Sequence, residues 1–144
     1  MRRMVMFAVA LTLAAPAWAA DMPQTPSSSD MAAIRAQIKA KDYAGALAAL
    51  NRLVNAGIVD ADVYNLLGFA SRKTGALDRA AGYYRQALDM EPNHRGALEY
   101  QGELFLQRGD RAGAERNLPR LKVLCPSGCE EREDLEAAIK VAGG

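Results

Sequence analysis

The sequence predicts an all-α protein, a solenoid of about three helical hairpins followed by a capping helix. From Asp30 onward, Ala, Leu, Arg, Gln and Glu dominate, and these residue types favour helices. No alternation of apolar and polar residues is long enough to indicate a strand. Short breaks recur roughly every 14 to 20 residues, a spacing typical of helical hairpins. The breaks are Lys41-Asp42, Asn55-Ala56-Gly57, Thr74-Gly75, Glu91-Pro92-Asn93 and Arg108-Gly109-Asp110.

Residues 1–19 are predicted to be a cleaved export signal. Arg2-Arg3 precedes an apolar run at 4–15, which is too short to span a bilayer with ease. Ala17-Trp18-Ala19 has the small-x-small pattern of a cleavage site, with cleavage one residue later as the alternative. A retained membrane anchor is the competing interpretation. We therefore expect an exported, soluble protein of the bacterial periplasm.

The mature chain is expected to form one domain after a short lead-in. Residues 20–29 are polar, contain two prolines and predict a flexible linker. The repeat array is assigned to 30–128 and the capping helix to 129–144. Removal of Arg2-Arg3 lowers the basic count from 18 to 16 against 17 acidic residues, a net charge of −1. This balance argues against binding to nucleic acid or to anionic lipid.

The array has an internal period of 34 residues, so each unit is a pair of helices. Gly68, Gly75, Ala80 and Pro92 recur as Gly102, Gly109, Ala114 and Pro126. The pattern resembles the tetratricopeptide repeat, which implies a solenoid of that type. One set of residues carries the resemblance and is expected to form the packing between helices. It comprises Tyr64, Leu67, Gly68, Ala80, Tyr84, Ala87 and Pro92 in the middle unit, and Leu98, Gly102, Phe105, Ala114 and Pro126 in the next. The first unit, about 27–60, is degenerate in its first helix.

Two helical positions carry specific packing expectations. Glycine inside a helix costs about 1 kcal/mol relative to alanine. At Gly68 and Gly102 we expect the absent side chain to let the second helix of the same pair approach closely. Pro119 falls inside the second helix of the last unit and predicts a kink there.

The capping helix is predicted from one apolar stripe. Leu135, Ala138, Ile139 and Ala142 recur at the spacing of a helix face that packs against the last repeat. The acidic residues at 130–134 lie in the first turns, where the helix dipole favours negative charge.

Cys125 and Cys129 are the two cysteines of the chain and flank a turn with Pro126 and Gly128. An oxidising compartment favours a disulfide between them, which would lock the joint between the last repeat and the cap. A metal site would have only two soft ligands, where zinc prefers four. A redox role needs a low-pKa thiolate, which the adjacent Glu130-Glu131 disfavours. A structural disulfide is the favoured interpretation, and the metal and redox roles remain open.

The resemblance also implies a binding face, because the first helices of tetratricopeptide pairs line a groove that holds a peptide or a helix. A solvated face without a ligand is the alternative. The side chains expected in this groove are Arg35, Ile38 and Lys39 from the first unit, Asp62, Asn65, Leu66, Phe69, Arg72 and Lys73 from the second, and Glu99, Tyr100, Glu103 and Leu106 from the third.

No catalytic constellation or cofactor motif is found, so we expect neither an enzyme nor a cofactor. His94, the one histidine, falls in a turn between units and is expected to be structural. The predicted function is a periplasmic adaptor that binds a protein or peptide in envelope assembly or maturation. The alternatives are a small metal or thiol-redox protein that uses Cys125 and Cys129, and a purely structural assembly subunit.

Overall fold

The computed structural model describes residues 25–143, so the predicted export signal lies outside the described residues. Within that range the chain forms seven α-helices and no strand, and the all-α prediction is confirmed. The helices are α1 (Ser28–Lys39), α2 (Tyr43–Asn55), α3 (Ala61–Lys73), α4 (Leu77–Met90), α5 (Arg95–Gln107), α6 (Arg111–Leu124) and α7 (Glu130–Val141). Helix α1 begins at Ser28, two residues inside the predicted linker. None of the helices in this range is both long and apolar enough to cross a membrane.

Most helix starts are determined by a capping side chain. At five of the seven helices, the residue before the first turn accepts a hydrogen bond from the backbone N–H three residues later. That bond satisfies a backbone donor that has no partner inside the helix. The capping residues are Ser27, Asp42, Asp60, His94 and Asp110.

The turn inside each helix pair uses one left-handed residue. Gly75 has φ +83° and Gly109 has φ +78°, a region that glycine enters without steric cost. Lys41 lies 34 residues before Gly75 and has φ +60°. The first unit therefore keeps the turn geometry of the repeat without its glycine, which is consistent with its degenerate sequence.

The core runs along the array in three adjoining clusters. Ile34, Leu50 and Leu67 join α1, α2 and α3. Tyr84 and Leu104 join the middle of the array. The last cluster brings the cap against the third pair through Leu98, Ala114, Leu121, Leu135 and Ile139. Helix α7 thus buries Leu135 and Ile139 of its predicted stripe, whereas Ala138 is partly buried and Ala142 is exposed.

Gly68 and Gly102 are both contact points between helices, but their partners differ. A Cβ at Gly68 would lie 2.5 Å from Cε1 of Tyr84, on the second helix of the same pair. A Cβ at Gly102 would lie 2.5 Å from Cδ1 of Leu135, on the capping helix. The expectation that Gly102 faces the second helix of its own pair is therefore wrong. The fully buried side chain of Leu135, on the cap, fills the space that a side chain at position 102 would need.

The other predicted packing residues divide by exposure. Leu67, Ala80, Tyr84, Ala87 and Ala114 are fully buried. Tyr64 is half-buried and its ring lies 6.3 Å from that of Tyr83, whereas Pro92 is exposed in the turn between units. Helix α6 continues through Pro119 to Leu124 as one element.

The joint between α6 and α7 is tied in two ways. Cys125 follows the last residue of α6, Cys129 precedes α7, and the two form a disulfide with Cα atoms 5.9 Å apart. Arg132 Nη1 also donates to the carbonyl oxygens of Cys125 and Pro126, at 3.2 and 3.1 Å. The start of the cap is consequently held to the end of the last repeat by a covalent bond and by two hydrogen bonds.

The Gly68 contact predicts opposite effects for two helical glycines. Gly68→Ala gains about 1 kcal/mol of helix propensity but forces a methyl group into the buried Tyr84 ring, an overpacking cost of about 1–3 kcal/mol. We expect a net loss of stability in urea unfolding. Gly82→Ala is the matched control, since a Cβ at Gly82 would meet nothing within 4 Å, and we expect a gain of about 0.5–1 kcal/mol. Equal effects of the two substitutions would contradict this packing.

The disulfide predicts a measurable dependence of stability on reductant. Opening so small a loop should lower the free energy of unfolding by about 2 kcal/mol. Urea unfolding with and without a phosphine reductant measures this difference. The Cys125→Ser, Cys129→Ser double variant is the control, and its stability should be independent of reductant. A parent protein that is equally insensitive would show that the bond adds no stability.

Candidate functional site

The side chains of α1, α3, α5 and α7 meet on one face of the array, which we call the groove face. Its first part is a cavity of about 260 Å³ that we call the acidic pocket. The pocket has five carboxylates, more than it has cationic side chains. Its lining residues are Arg35, Asp62, Asn65, Leu66, His94, Gly96, Glu99, Tyr100, Glu130, Glu131 and Asp134.

One wall of the acidic pocket is a chain of polar contacts centred on Asp62. Arg35 Nη2 donates to Asp62 Oδ2 at 2.9 Å, and His94 Nε2 lies 2.9 Å from Asp62 Oδ1. The backbone N–H of Ala97 donates to His94 Nδ1, so the neutral ring carries its proton on Nε2 and donates it to Asp62. His94 therefore caps α5 and links it to α3.

These contacts shift the pKa values of both partners. The hydrogen bond to His94, with help from Arg35, lowers the pKa of Asp62 below its ordinary value against the effect of burial. The hydrogen bond to Asp62 raises the pKa of His94, again against the effect of burial. The Asp62 carboxylate is thus stabilised in its ionised form.

Glu99 forms the base of the pocket and is only 5% exposed. Its carboxylate has no hydrogen-bond or ion-pair partner within residues 25–143. Burial raises the pKa of Glu99 to about 8, and the nearby carboxylates of Glu103, Asp134, Glu131 and Glu130 add to this shift. Glu99 is therefore largely protonated at neutral pH while the pocket holds no cation.

The second part of the groove face is an aromatic shelf, formed by Phe69 and Tyr100. Their ring centroids lie 4.8 Å apart, and Tyr43 extends the series with its ring 6.2 Å from that of Phe69. Phe69 and Tyr100 are both partly exposed. Burial raises the pKa of Tyr100 to about 12, so its hydroxyl stays protonated at neutral pH.

Two cations flank the aromatic shelf. The Arg72 guanidinium lies 5.7 Å from the Phe69 centroid and 6.0 Å from that of Tyr100, and it also pairs with Glu103. Lys73 Nζ lies 5.2 Å from the Phe69 centroid. Such distances permit cation–π attraction. The shelf is thus apolar at its centre and charged at its edge.

The structure places most of the predicted groove residues in these two clusters, whereas Ile38 and Leu106 pack against the first and last core clusters. Arg35, Asp62, Asn65, Leu66, Glu99 and Tyr100 line the acidic pocket, and Phe69, Arg72, Lys73 and Glu103 lie at or beside the shelf. Lys39 lies apart, exposed in the last turn of α1.

Several of the predicted groove residues are more deeply buried than an open row of side chains would be. Leu66 packs into the first core cluster, and Asn65, Arg72 and Glu99 are at least nine-tenths buried. The expectation of an open row of side chains is corrected at these positions. The reason is the packing of the helices that carry these side chains: α3 packs mainly against α4 and α2, and α5 packs against α6 and α7.

Sequence reasoning missed the contribution of the cap. Glu130, Glu131 and Asp134 line the pocket, whereas the sequence pattern had related them only to the helix dipole. Asp134 follows Glu131 by three residues and Glu130 by four, spacings that place it on one helix side with each of them, and this was the available signal. His94 was expected to be a structural turn residue, and it has that role as well as a place in the pocket wall.

The alternative functions from the sequence were a metal site and a thiol-redox site. Within residues 25–143, no set of three or more His, Cys, Asp or Glu side chains is arranged to hold a metal ion. Cys125 and Cys129 form the disulfide of the joint, outside both parts of the groove face.

Comparison with known proteins supports the repeat architecture. Residues 61–94 match the family model of the tetratricopeptide repeat. A solved structure, the crystal structure of PcrH in complex with the chaperone binding region of PopD, superposes with a TM-score of 0.66. That superposition covers 85% of this chain and 97% of the other at 20% sequence identity, and it shows a shared fold.

The curated relatives that match in sequence include two proteins of the same name. The protein named "Probable biofilm formation methyltransferase WspC" from Pseudomonas putida is 32% identical, over 73% of this chain and 30% of its own length. The protein of the same name from Pseudomonas aeruginosa is 41% identical, over 49% of this chain and 17% of its own length. The chain therefore spans less than a third of the length of these two relatives.

The raised pKa of Glu99 predicts how stability depends on pH. Because the folded state binds this proton more tightly, the stability contribution of Glu99 is complete below about pH 4.5 and is lost as the pH rises through about 8. Glu99→Gln keeps the shape but cannot ionise. Between about pH 5 and 8, we expect the free energy of unfolding of Glu99→Gln to fall less steeply with pH than that of the parent. The two slopes should differ by up to about 1 kcal/mol per pH unit.

Urea unfolding at a series of pH values measures this slope. Asp89→Asn is the matched control, since Asp89 is a carboxylate on α4 outside the groove face, and its curve should run parallel to that of the parent. Parallel curves for Glu99→Gln and the parent would contradict the prediction.

Proposed function

We propose that this chain, a tetratricopeptide repeat protein, is a non-catalytic adaptor that binds a protein or peptide segment on its groove face. The aromatic shelf is the observation that carries the proposal. Phe69 on α3 and Tyr100 on α5 are large, partly exposed rings whose centroids lie 4.8 Å apart. Rigid aromatic side chains are the usual anchors of protein interfaces.

Charged groups around the shelf support a peptide ligand over a small apolar molecule. Arg72, Lys73 and Glu103 surround the rings, and the acidic pocket continues from Tyr100 along the same face. An extended peptide presents apolar side chains, charged side chains and backbone polar groups together. The face offers partners of all three kinds over neighbouring helices.

The proposed setting is the bacterial periplasm, in the assembly or maturation of envelope proteins. The export pattern at 1–19 supports this setting, and the disulfide between Cys125 and Cys129 is consistent with an oxidising compartment. The pathway itself is an expectation from the sequence and from the resemblance to exported repeat proteins.

We also propose that the chain has no enzymatic activity of its own. His94 is the one histidine in the sequence, and both of its ring nitrogens take part in structural contacts. The methyltransferase in the names of the two relatives refers to proteins of which this chain spans less than a third. The matching region is therefore no basis for transferring that activity.

Removal of either shelf ring should weaken partner capture. Tagged protein is crosslinked in its native host, purified and compared with Phe69→Ala and Tyr100→Ala variants by mass spectrometry. Loss of a buried aromatic anchor costs about 2 kcal/mol or more of binding energy, so we expect recovery of the true partner to fall at least about tenfold. Circular dichroism and urea unfolding establish that each variant is folded.

Gln86→Ala is the matched control, because Gln86 is exposed on α4 and belongs to neither part of the groove face. It should recover every partner of the parent. If both ring variants also recover the full set, the groove face is not the binding site, and assembly through another face becomes the better interpretation.

A further inference from the structure

The acidic pocket holds more negative charge than its own cations neutralise. Asp62 pairs with Arg35 and His94, and Arg95 Nε lies 3.5 Å from Glu131 Oε1. Glu99, Glu130 and Asp134 have no ion-pair partner within residues 25–143. The pocket thus combines three carboxylates from α5 and α7 that lack a counter-charge.

A buried amide in the same pocket also lacks a donor. Asn65 is 5% exposed, and its Oδ1 accepts no hydrogen bond from the described residues. A buried acceptor without a partner costs about 1–3 kcal/mol. Asn65 and Glu99 both line the pocket, and both are buried residues whose side-chain oxygen atoms lack a hydrogen-bond partner among the described residues.

The walls of the pocket select the kind of donor. Leu66 and the ring of Tyr100 supply apolar surface next to the acceptors. Lysine and arginine side chains place an alkyl stem on such surface while the charged head meets carboxylates. A cation beside a tyrosine ring is also attracted to its face.

We propose that the acidic pocket binds a positively charged group, an ammonium or guanidinium, of the peptide held on the groove face. This inference rests on the proposed function and specifies its ligand. The peptide lays an apolar side chain on the Phe69–Tyr100 shelf and places its cation among Asn65, Glu99 and Asp134. The capping helix thus acts as part of the binding site, because it supplies Glu130 and Asp134.

Cation binding is coupled to the ionisation of Glu99. The groups that face Glu99 are Glu103 on its own helix, Glu130, Glu131 and Asp134 on α7, and the Asp62 cluster with Arg35 and His94. A bound cation reverses the local field and favours the ionised carboxylate. Affinity should therefore rise as the pH increases through about 8 and Glu99 loses its proton.

The test is an NMR titration of the purified protein with three small probes. These are Nα-acetyl-lysine methylamide, the isosteric Nα-acetyl-norleucine methylamide, and alanine methylamide with a free α-amine. We expect saturable shifts of the backbone amides of residues 65, 99 and 134 with the lysine probe and none with the norleucine probe. Shifts with the alanine probe alone would identify a chain N-terminus as the source of the cation. Equal binding of the lysine and norleucine probes would overturn the inference.

Substitution of the carboxylates provides the second arm. Glu99→Gln with Asp134→Asn removes two ionisable carboxyl groups without loss of volume, and affinity for the lysine probe should fall at least about tenfold, the effect of about 1.4 kcal/mol. Asp89→Asn is the control and should bind like the parent. Unchanged affinity in the double variant would overturn the inference.

The same double variant separates this inference from the proposed function. If partner capture is lost in Phe69→Ala and kept in Glu99→Gln, Asp134→Asn, the groove face binds a partner but the pocket takes no cation from it. If capture is unchanged in both, the proposed function fails and this inference fails with it. Loss in both, together with binding of the lysine probe, supports the two proposals.

Discussion

The ring of Tyr84 packs against the backbone of Gly68, and the rest of the groove face depends on this contact. Without a Cβ on Gly68, α3 and α4 approach closely enough to bury the ring fully. The opposite side of α3 then faces α1 and α5, where Phe69 meets Tyr100 and Asp62 meets Arg35 and His94. The distance between helices in one pair thereby determines which side chains the neighbouring pairs can bring together.

At the end of the array, a second glycine again permits a close contact between helices, here with the capping helix. Gly102 is covered by Leu135 of α7, so the cap lies against α5. That placement brings Glu130 and Asp134 into the pocket with Glu99 and concentrates negative charge at one end of the face. The disulfide and Arg132 hold the start of α7 in position. A helix that completes the core consequently also completes the candidate binding pocket.

Charge on the groove face is distributed unevenly. Around the shelf, Arg72 and Lys73 lie over aromatic rings and Arg72 is paired with Glu103. In the acidic pocket, Asp62 is neutralised whereas Glu99 is buried without a cation. Burial of an isolated carboxylate is unfavourable, and the raised pKa of Glu99 is the result. A face that carries an apolar anchor point beside an unneutralised acidic pocket is suited to a peptide with an apolar and a basic residue.

The sequence by itself determined the helical class, the 34-residue repeat and the helix boundaries, because helix formers, capping side chains and left-handed turn residues act over a few positions. The resemblance to the tetratricopeptide repeat also predicted which helices share the groove face, and most of the predicted residues lie at the acidic pocket or the aromatic shelf. Only the tertiary structure decided that Gly102 meets the cap, that Asn65, Arg72 and Glu99 are buried, and that Glu130, Glu131 and Asp134 join the pocket. These outcomes depend on how closely particular helices approach one another. That distance is determined by contacts between side chains that are far apart in the sequence, so a local sequence pattern does not reveal it.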